Sequence, residues 1–180
     1  MNIFYVHTDP VIAARSLCNR HVVKMAVESA QMLATCFSTE VLYDAPRTIK
    51  GDVRKNTSHV NHPSTVWVRE SSHHYDWLVD HGLELCAEKH RRYPTKPYPY
   101  VYDFLLWCKH NSNLSSVVCN GWKAPPRAFG SFEYTGFYDC DCTSCTVTAY
   151  RAFYNETKAV FKDGRPAQWT NTNPPTWWTN

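Results

Sequence analysis

The stretch Asn19-Arg20-His21-Val22-Val23-Lys24-Met25-Ala26-Val27-Glu28-Ser29-Ala30-Gln31-Met32-Leu33-Ala34-Thr35-Cys36-Phe37 decides the fold class. Val22, Val23, Ala26, Val27, Ala30, Leu33, Ala34 and Phe37 recur at helical intervals and predict one broad apolar side. His21, Lys24, Glu28, Gln31 and Thr35 recur three or four apart and predict a polar stripe beside it. An imidazole, an ammonium and a carboxylate on one anchored face make a platform for acid–base chemistry. The same spacing also describes an amphipathic helix with its wet side outward, where a Lys–Glu pair contributes only about 0.2–0.5 kcal/mol.

Upstream, residues 1–7 read as a short extended lead-in carrying Ile3, Phe4 and Val6. Asp9-Pro10 reads as N-cap plus first helical residue, opening a short helix to about Cys18. Asn19 is the expected cap of the helix that runs to about Phe37. Downstream, residues 38–60 read as a loop with Pro46 and Gly51. Asn61-His62-Pro63-Ser64 opens a third helix, spaced by Val68, Tyr75, Leu78, Val79, Gly82, Leu85 and Cys86, that ends before Pro94. Pro94, Pro97 and Pro99 form a stiff connector, 101–109 a shorter helix, 111–140 an irregular stretch and 144–161 a last helix. The sum predicts an all-α, mainly helical single domain over 1–180 with long irregular loops. Its Pro- and Trp-rich tail, 162–180, either packs on the body or serves for docking.

Of 180 residues, 43% are apolar and 19% charged, enough for the core of one domain and unlike a disordered tail. No apolar run approaches the roughly 18–20 residues of a membrane span, and no basic stretch leads into an apolar one at the start. A cytoplasmic protein is therefore expected, in the host cell's cytoplasm if it is phage-encoded. Only 6 Gly occur, and neither G-x-x-x-x-G-K-[ST] nor G-x-G-x-x-G is present, which excludes P-loop and dinucleotide enzymes. No cofactor is expected.

The formal net charge of +3 argues little, but its distribution says more. Residues 89–130 carry Lys89, Arg91, Arg92, Lys96, Lys109, Lys123 and Arg127 against Asp103 alone. Tyr93, Tyr98, Tyr100, Tyr102, Phe104, Trp107, Trp122 and Phe129 are interleaved with them. Cations for phosphates and flat rings for bases are the ingredients of a nucleic-acid groove. A solvated face beside aromatic core residues has the same pattern. Ahead of the third helix, His59, Asn61 and His62 stand where backbone N–H groups favour an anion such as phosphate, with Arg69 close by.

Eight cysteines are expected to be reduced. Cys18, Cys36, Cys86 and Cys108 fall within apolar helical patterns and read as small core residues. Cys140, Cys142 and Cys145 place three thiols within six residues, ordinary thiols or, with Cys119 or a histidine as fourth ligand, a zinc site.

The run Ile3-Phe4-Tyr5-Val6 followed by Asn19–Gln31 resembles the start of the phage-type pyrimidine-dimer DNA glycosylases. In that family a helix carries the catalytic Glu seven residues after a His, the separation of His21 and Glu28. The chain is similar, over most of its length, to small phage proteins that begin M-N-I-F. It shares with them the segments His21–Gln31, Asn61–Ser71 and Ala149–Tyr154. The resemblance implies an α-amine at the chain start as nucleophile on sugar C1′, a Schiff base, and strand cleavage by β-elimination. An α-amine, with an ordinary pKa of roughly 8, keeps a usable neutral fraction near neutrality.

The resemblance thus assigns catalysis to Glu28 and the Met1 amine. Lys24 is a spare nucleophile on its own chemistry, since a lysine partly buried beside apolar neighbours can lose enough basicity to form a Schiff base. The family begins with Thr after Met removal; here Asn2 is bulky enough that Met1 is expected to stay. Where the family has arginines just before and three after the Glu, this chain has Val27 and Gln31. His21 and Gln31 are the expected pocket residues. His59, Asn61, His62, Arg69, Arg91, Arg92, Lys96, Arg127 and Arg151 are the expected nucleic-acid contacts. The expected partner is DNA or a nucleotide, with no membrane and no identified protein partner. Two other readings use the same scaffold: a non-catalytic nucleic-acid or nucleotide binder, and a structural or accessory phage subunit docking through Trp169, Trp177 and Trp178.

Overall fold

Asp9 caps the first helix, α1 (Pro10–Ser16), by accepting from the N–H groups of Val11 and Ile12, with Pro10 at its first turn. The computed structural model describes residues 1–136, Cys140 and 142–180. Within them the chain continues as α2 (Asn19–Ala34), α3 (Thr39–Tyr43), α4 (Pro63–Glu70), α5 (Ser72–Arg92), α6 (Tyr102–His110) and α7 (Thr143–Lys158). The fold is all-α: among the described residues there is no sheet, and the nearest approach to one is an isolated Val160–Pro166 bridge.

Three differences from the sequence expectation have local causes. Cys18, not Asn19, caps α2, because the Asn19 carboxamide is engaged elsewhere: it accepts from Arg92 and the Thr170 N–H and donates to the Thr170 hydroxyl. The single helix expected from residue 61 to Pro94 is two, broken at Ser71 (φ −155°, ψ 142°). Ser71 ends α4 and caps α5 through a side-chain oxygen that accepts from the His73 N–H. Continuous apolar spacing across a serine conceals such a break. The stretch 38–60 contains the short α3, opened by Ser38.

Helix α5 is the central element, packed against α1, α2, α4 and α6. A Cβ placed on Gly82 would meet Ser29 Cβ of α2 at 3.3 Å and Leu105 Cδ2 of α6 at 3.0 Å, so a glycine allows this three-helix approach. The core joins Val22, Met25 and Leu33 of α2 to Leu78 and Leu85 of α5, Phe104 of α6 and Tyr150 and Tyr154 of α7. The tail lies over this body. Trp169, Trp177 and Trp178 pack on the core, Trp169 donates its indole N–H to the Ser16 carbonyl, and the Gln168 carbonyl accepts the Asn19 N–H. Among the described residues no helix is long and apolar enough to cross a membrane.

The start of the chain is threaded into the core. Ile3, Phe4, Tyr5 and Val6 are all buried. Phe4 sits at φ +53°, a left-handed conformation costing an aromatic residue about 1–3 kcal/mol. Burying Ile3, Phe4 and Val6 is worth roughly 5–9 kcal/mol as an upper figure, which offsets that strain.

Candidate active site

The tight turn at the chain start has one organiser, Asn2. Its side-chain oxygen accepts from the N–H groups of Ile3 (2.7 Å) and Phe4 (2.9 Å), and its amide donates to the Ala128 carbonyl (2.8 Å). A short side chain that bonds its own backbone this way is a turn former. The turn aims the Asn2 backbone N–H at Glu28 Oε2, 2.8 Å away, with the Met1 α-amine 4.0 Å from the same oxygen. The Met1 side chain is 2% exposed and its sulfur accepts from the Thr65 hydroxyl, so what Met1 leaves accessible is backbone.

Glu28 projects from the middle of α2 and is buried, with its second oxygen 3.3 Å from Lys24 Nζ, one turn back. Around this carboxylate opens a cavity of about 750 Å³. Met1, Asn2, His21, Lys24, Glu28 and His62 line it together with Ala128–Gly130 and the end of α7. Thus Met1, His21, Lys24, Glu28 and His62 of the sequence-expected set come together.

His21 is buried against Phe4, Tyr154 and Phe161. Burial first, then Lys158, Lys24 and Arg20, push its pKa down to about 3, so the ring is neutral near pH 7. The Tyr154 hydroxyl accepts the Cys18 N–H at 3.0 Å and lies 2.7 Å from His21 Nδ1. Burial holds that phenol well above its ordinary pKa, so it stays protonated, and the direction of its hydrogen bond with His21 follows the imidazole tautomer. His62 caps α4 by accepting the Ser64 N–H on Nδ1. Burial, the Met1 amine and His59 lower its pKa, against a smaller opposing effect of Glu28.

Three further cations line the cavity: Arg20, Lys158 and Lys162. Arg20 is paired with Asp163 at 2.7 Å, whereas among the described residues neither Lys158 nor Lys162 makes an ion pair. Burial, then Lys24, lowers the Lys158 pKa below the ordinary lysine value. With Lys24 and the Met1 amine, these cations line the cavity around Glu28, the one carboxylate in its lining among the described residues. Such a rim attracts phosphates. Sequence reading missed Asn2, Arg20, Lys158 and Lys162. Asn at position 2, a residue that folds back on its own backbone, was the legible signal for the first.

The other expected residues lie elsewhere. Gln31, with Val27, lines a separate cavity of about 300 Å³ beside Thr48–Lys55. His59 is exposed at φ +51°, and Asn61 borders a third cavity of about 1180 Å³ with Trp67, Trp122 and Arg127. Arg69 donates to the Val60 carbonyl (2.7 Å), pinning the loop before α4. Arg91 pairs with Glu84 and Glu88. Arg92, 1% exposed, bonds Glu88, Asn19 and the Arg15 carbonyl. Lys96 is exposed beyond α5, with its carbonyl against His90. Arg127 donates to the Cys140 carbonyl. Arg151 donates to the Val6 carbonyl (2.9 Å) and lies over Trp177. None of these nine lines the Glu28 cavity.

All eight cysteines are free thiols. Cys142 caps α7, and hydrogen bonds with Cys140, Ser144 and Cys145 bring its pKa down to about 6.

An all-α body folds its own first residues against a buried carboxylate in a hollow lined by cations, a charge arrangement that suits a polyanion. The family model for pyrimidine dimer DNA glycosylase matches residues 1–98, more than half of the 180, and the protein belongs to that family. The substrate of such glycosylases is DNA. Searches of curated proteins and of solved structures found no match. The matched region spans α1–α5 and holds Met1, Asn2, His21, Lys24, Glu28 and His62, whereas Ala128–Gly130 and α7 complete the cavity from outside it.

Proposed function

We propose that this protein excises pyrimidine-dimer bases from DNA and then nicks the strand, with the Met1 α-amine as nucleophile and Glu28 as its proton acceptor. One observation carries the reading: a buried carboxylate sits 4.0 Å from the chain-terminal amine and 2.8 Å from the next backbone nitrogen, at the base of a cavity. Proton transfer needs such reach, and a short approach of this order is what binding tightens.

In the proposed sequence the neutral amine forms a bond to C1′ as the glycosidic C1′–N bond breaks. The base leaves with that electron pair and takes a proton from solvent. Glu28 accepts a proton from the new ammonium and returns it to O4′ as the sugar ring opens, which yields a C1′ iminium. Loss of a C2′ proton then expels the 3′ phosphate with the C3′–O electron pair. Water hydrolyses the imine and restores the amine. The Glu28 carboxylate also stabilises the cationic iminium at close range.

His21, a neutral imidazole in the cavity lining, hydrogen-bonds the extruded nucleotide, and Arg20, Lys24, Lys158 and Lys162 hold flanking phosphates. Lys24 pairs with Glu28 and its side chain is 64% exposed, which favours a phosphate contact over the role of spare nucleophile.

The test is base release and strand scission on a duplex carrying one pyrimidine dimer. Glu28→Gln should lower the rate by about 10²–10⁴, the usual contribution of a positioned proton acceptor, with DNA affinity nearly unchanged. Wild-type rates in the folded Glu28→Gln protein would overturn the proposal.

A further inference from the structure

We propose that Cys140, Cys142 and Cys145 form a three-thiolate site for one zinc ion, closed by a solvent ligand. The three sulfur atoms lie within 4.8 Å of one another. A tetrahedral zinc ion with Zn–S bonds of about 2.3 Å sets its sulfurs roughly 3.8 Å apart. Closing the site therefore takes side-chain adjustments of about an ångström, with no change of fold.

Two of the ligands stand on a rigid element. Cys142 is the N-cap of α7 and Cys145 lies in its first turn, with the Cys145 N–H donating to Cys142 Sγ at 3.4 Å. A backbone N–H directed at a sulfur, at a helix start, favours the thiolate form that binds metal. Cys140 precedes the helix in sequence, and its carbonyl is already held by Arg127. Such outer hydrogen bonds orient a ligand before the ion arrives. Cys142 is exposed, so the fourth position is open to water. Soft thiolates in a tetrahedral set select zinc over hard cations such as Mg²⁺ or Ca²⁺.

The site has a structural purpose independent of the glycosylase reading. Residues 115–136 contain no helix, yet Ala128 of this segment accepts from the Asn2 side chain, and Phe129 and Gly130 line the Glu28 cavity. A metal clip tying Cys140, four residues beyond this segment in sequence, to α7 restrains that wall. Cys119, the other exposed thiol, is set apart, with its sulfur 3.4 Å from His73 Nε2.

The experiment uses the full chain, reduced, stripped with a chelator, reloaded with zinc sulfate and desalted. Elemental analysis should give one zinc per chain. Cobalt(II) should show the intense d–d and thiolate charge-transfer bands of a tetrahedral sulfur site. Cys142→Ser and Cys145→Ser should each weaken zinc by at least about 100-fold, since loss of an outer partner alone costs 10–100-fold. Cys119→Ser should leave it unchanged. Zinc addition should also release protons from the ligating thiols. Substoichiometric zinc, a purely octahedral cobalt spectrum, or equal zinc in the Cys140/Cys142/Cys145→Ser triple variant would overturn the proposal. So would a Cys142–Cys145 disulfide as the resting form under these reducing conditions. The cobalt spectrum is read on the wild-type chain, so a variant that fails to fold does not blunt the test.

Discussion

Two groups of cations, one at the end of α5 and one around the Glu28 cavity, look alike in sequence and differ in the folded chain. At the end of α5, Arg91 and Arg92 meet Glu84 and Glu88, and Arg92 is buried with a bond to Asn19 as well. The Arg92 guanidinium joins α5 to α1 and α2, and the Arg92 carbonyl accepts from Asn171 of the tail. Around the cavity, Lys24, Lys158 and Lys162 and the Met1 amine face a single carboxylate. Positive charge there exceeds what the protein itself neutralises, and DNA can supply the balance. Density of Lys and Arg along a chain does not report availability; pairing does.

Substitutions at the two places should behave oppositely, and the largest expected contrast is the catalytic one already given for Glu28→Gln. Next comes Arg92→Met, which takes the buried partner from Glu88 Oε1 and leaves that carboxylate only the more exposed Arg91. It should lower unfolding stability by about 3–5 kcal/mol in denaturant titration, while the folded fraction binds DNA as before. A specific loss of DNA affinity with stability intact would reverse the assignment of the two groups.

A smaller effect concerns pH. His21 and His81 are both buried, and burial pushes each pKa down to about 3. The folded protein thus binds fewer protons than the unfolded chain between pH about 6.5 and about 3. Stability should be full above pH 6.5 and fall through that window, by up to roughly 1.4 kcal/mol per pH unit per histidine. His81, stacked on Trp77 with neither ring nitrogen partnered, is the cleaner probe. His81→Phe should flatten the fall in thermal-melt midpoints, and an unchanged slope would exclude His81 as a contributor.

Smaller still, Lys158→Ala with Lys162→Ala should weaken binding to all DNA sequences alike and reduce the salt slope by about one unit per lost phosphate contact. Lys96→Ala, by the same comparison, should change neither. A salt slope that responds to Lys96 and ignores Lys158 would move the binding face to the end of α5.

The sequence made α1 legible through Asp9-Pro10, and α2 and α6 through apolar spacing alone, since Asn19 does not cap α2 and α6 has no side-chain cap. It misread Ser71, because apolar spacing runs through the break and only a φ/ψ change at one residue separates α4 from α5. It placed His21, Lys24 and Glu28 on one polar stripe, and they do share a cavity, but burial of His21 and Glu28 depends on α7 and the 128–130 segment, more than 90 residues away. Gln31, two turns along from Lys24, follows the helix out of that cavity into another. Lys158 and Lys162 were invisible as site residues for the same reason: tertiary packing brings the end of the last helix to the first residues. Resemblance brought Met1 into consideration, while the reason it points at Glu28 is the Asn2 turn, whose signal, a turn-forming Asn at position 2, is legible but does not say what the turn faces.

The most direct measurement is borohydride reduction of the protein mixed with abasic-site DNA, followed by intact mass and mapping of the modified peptide. The account predicts one sugar remnant per chain, attached to the α-amine of the first residue. An adduct on Lys24 or Lys158, or no adduct from a protein that binds and cleaves that DNA, would contradict it.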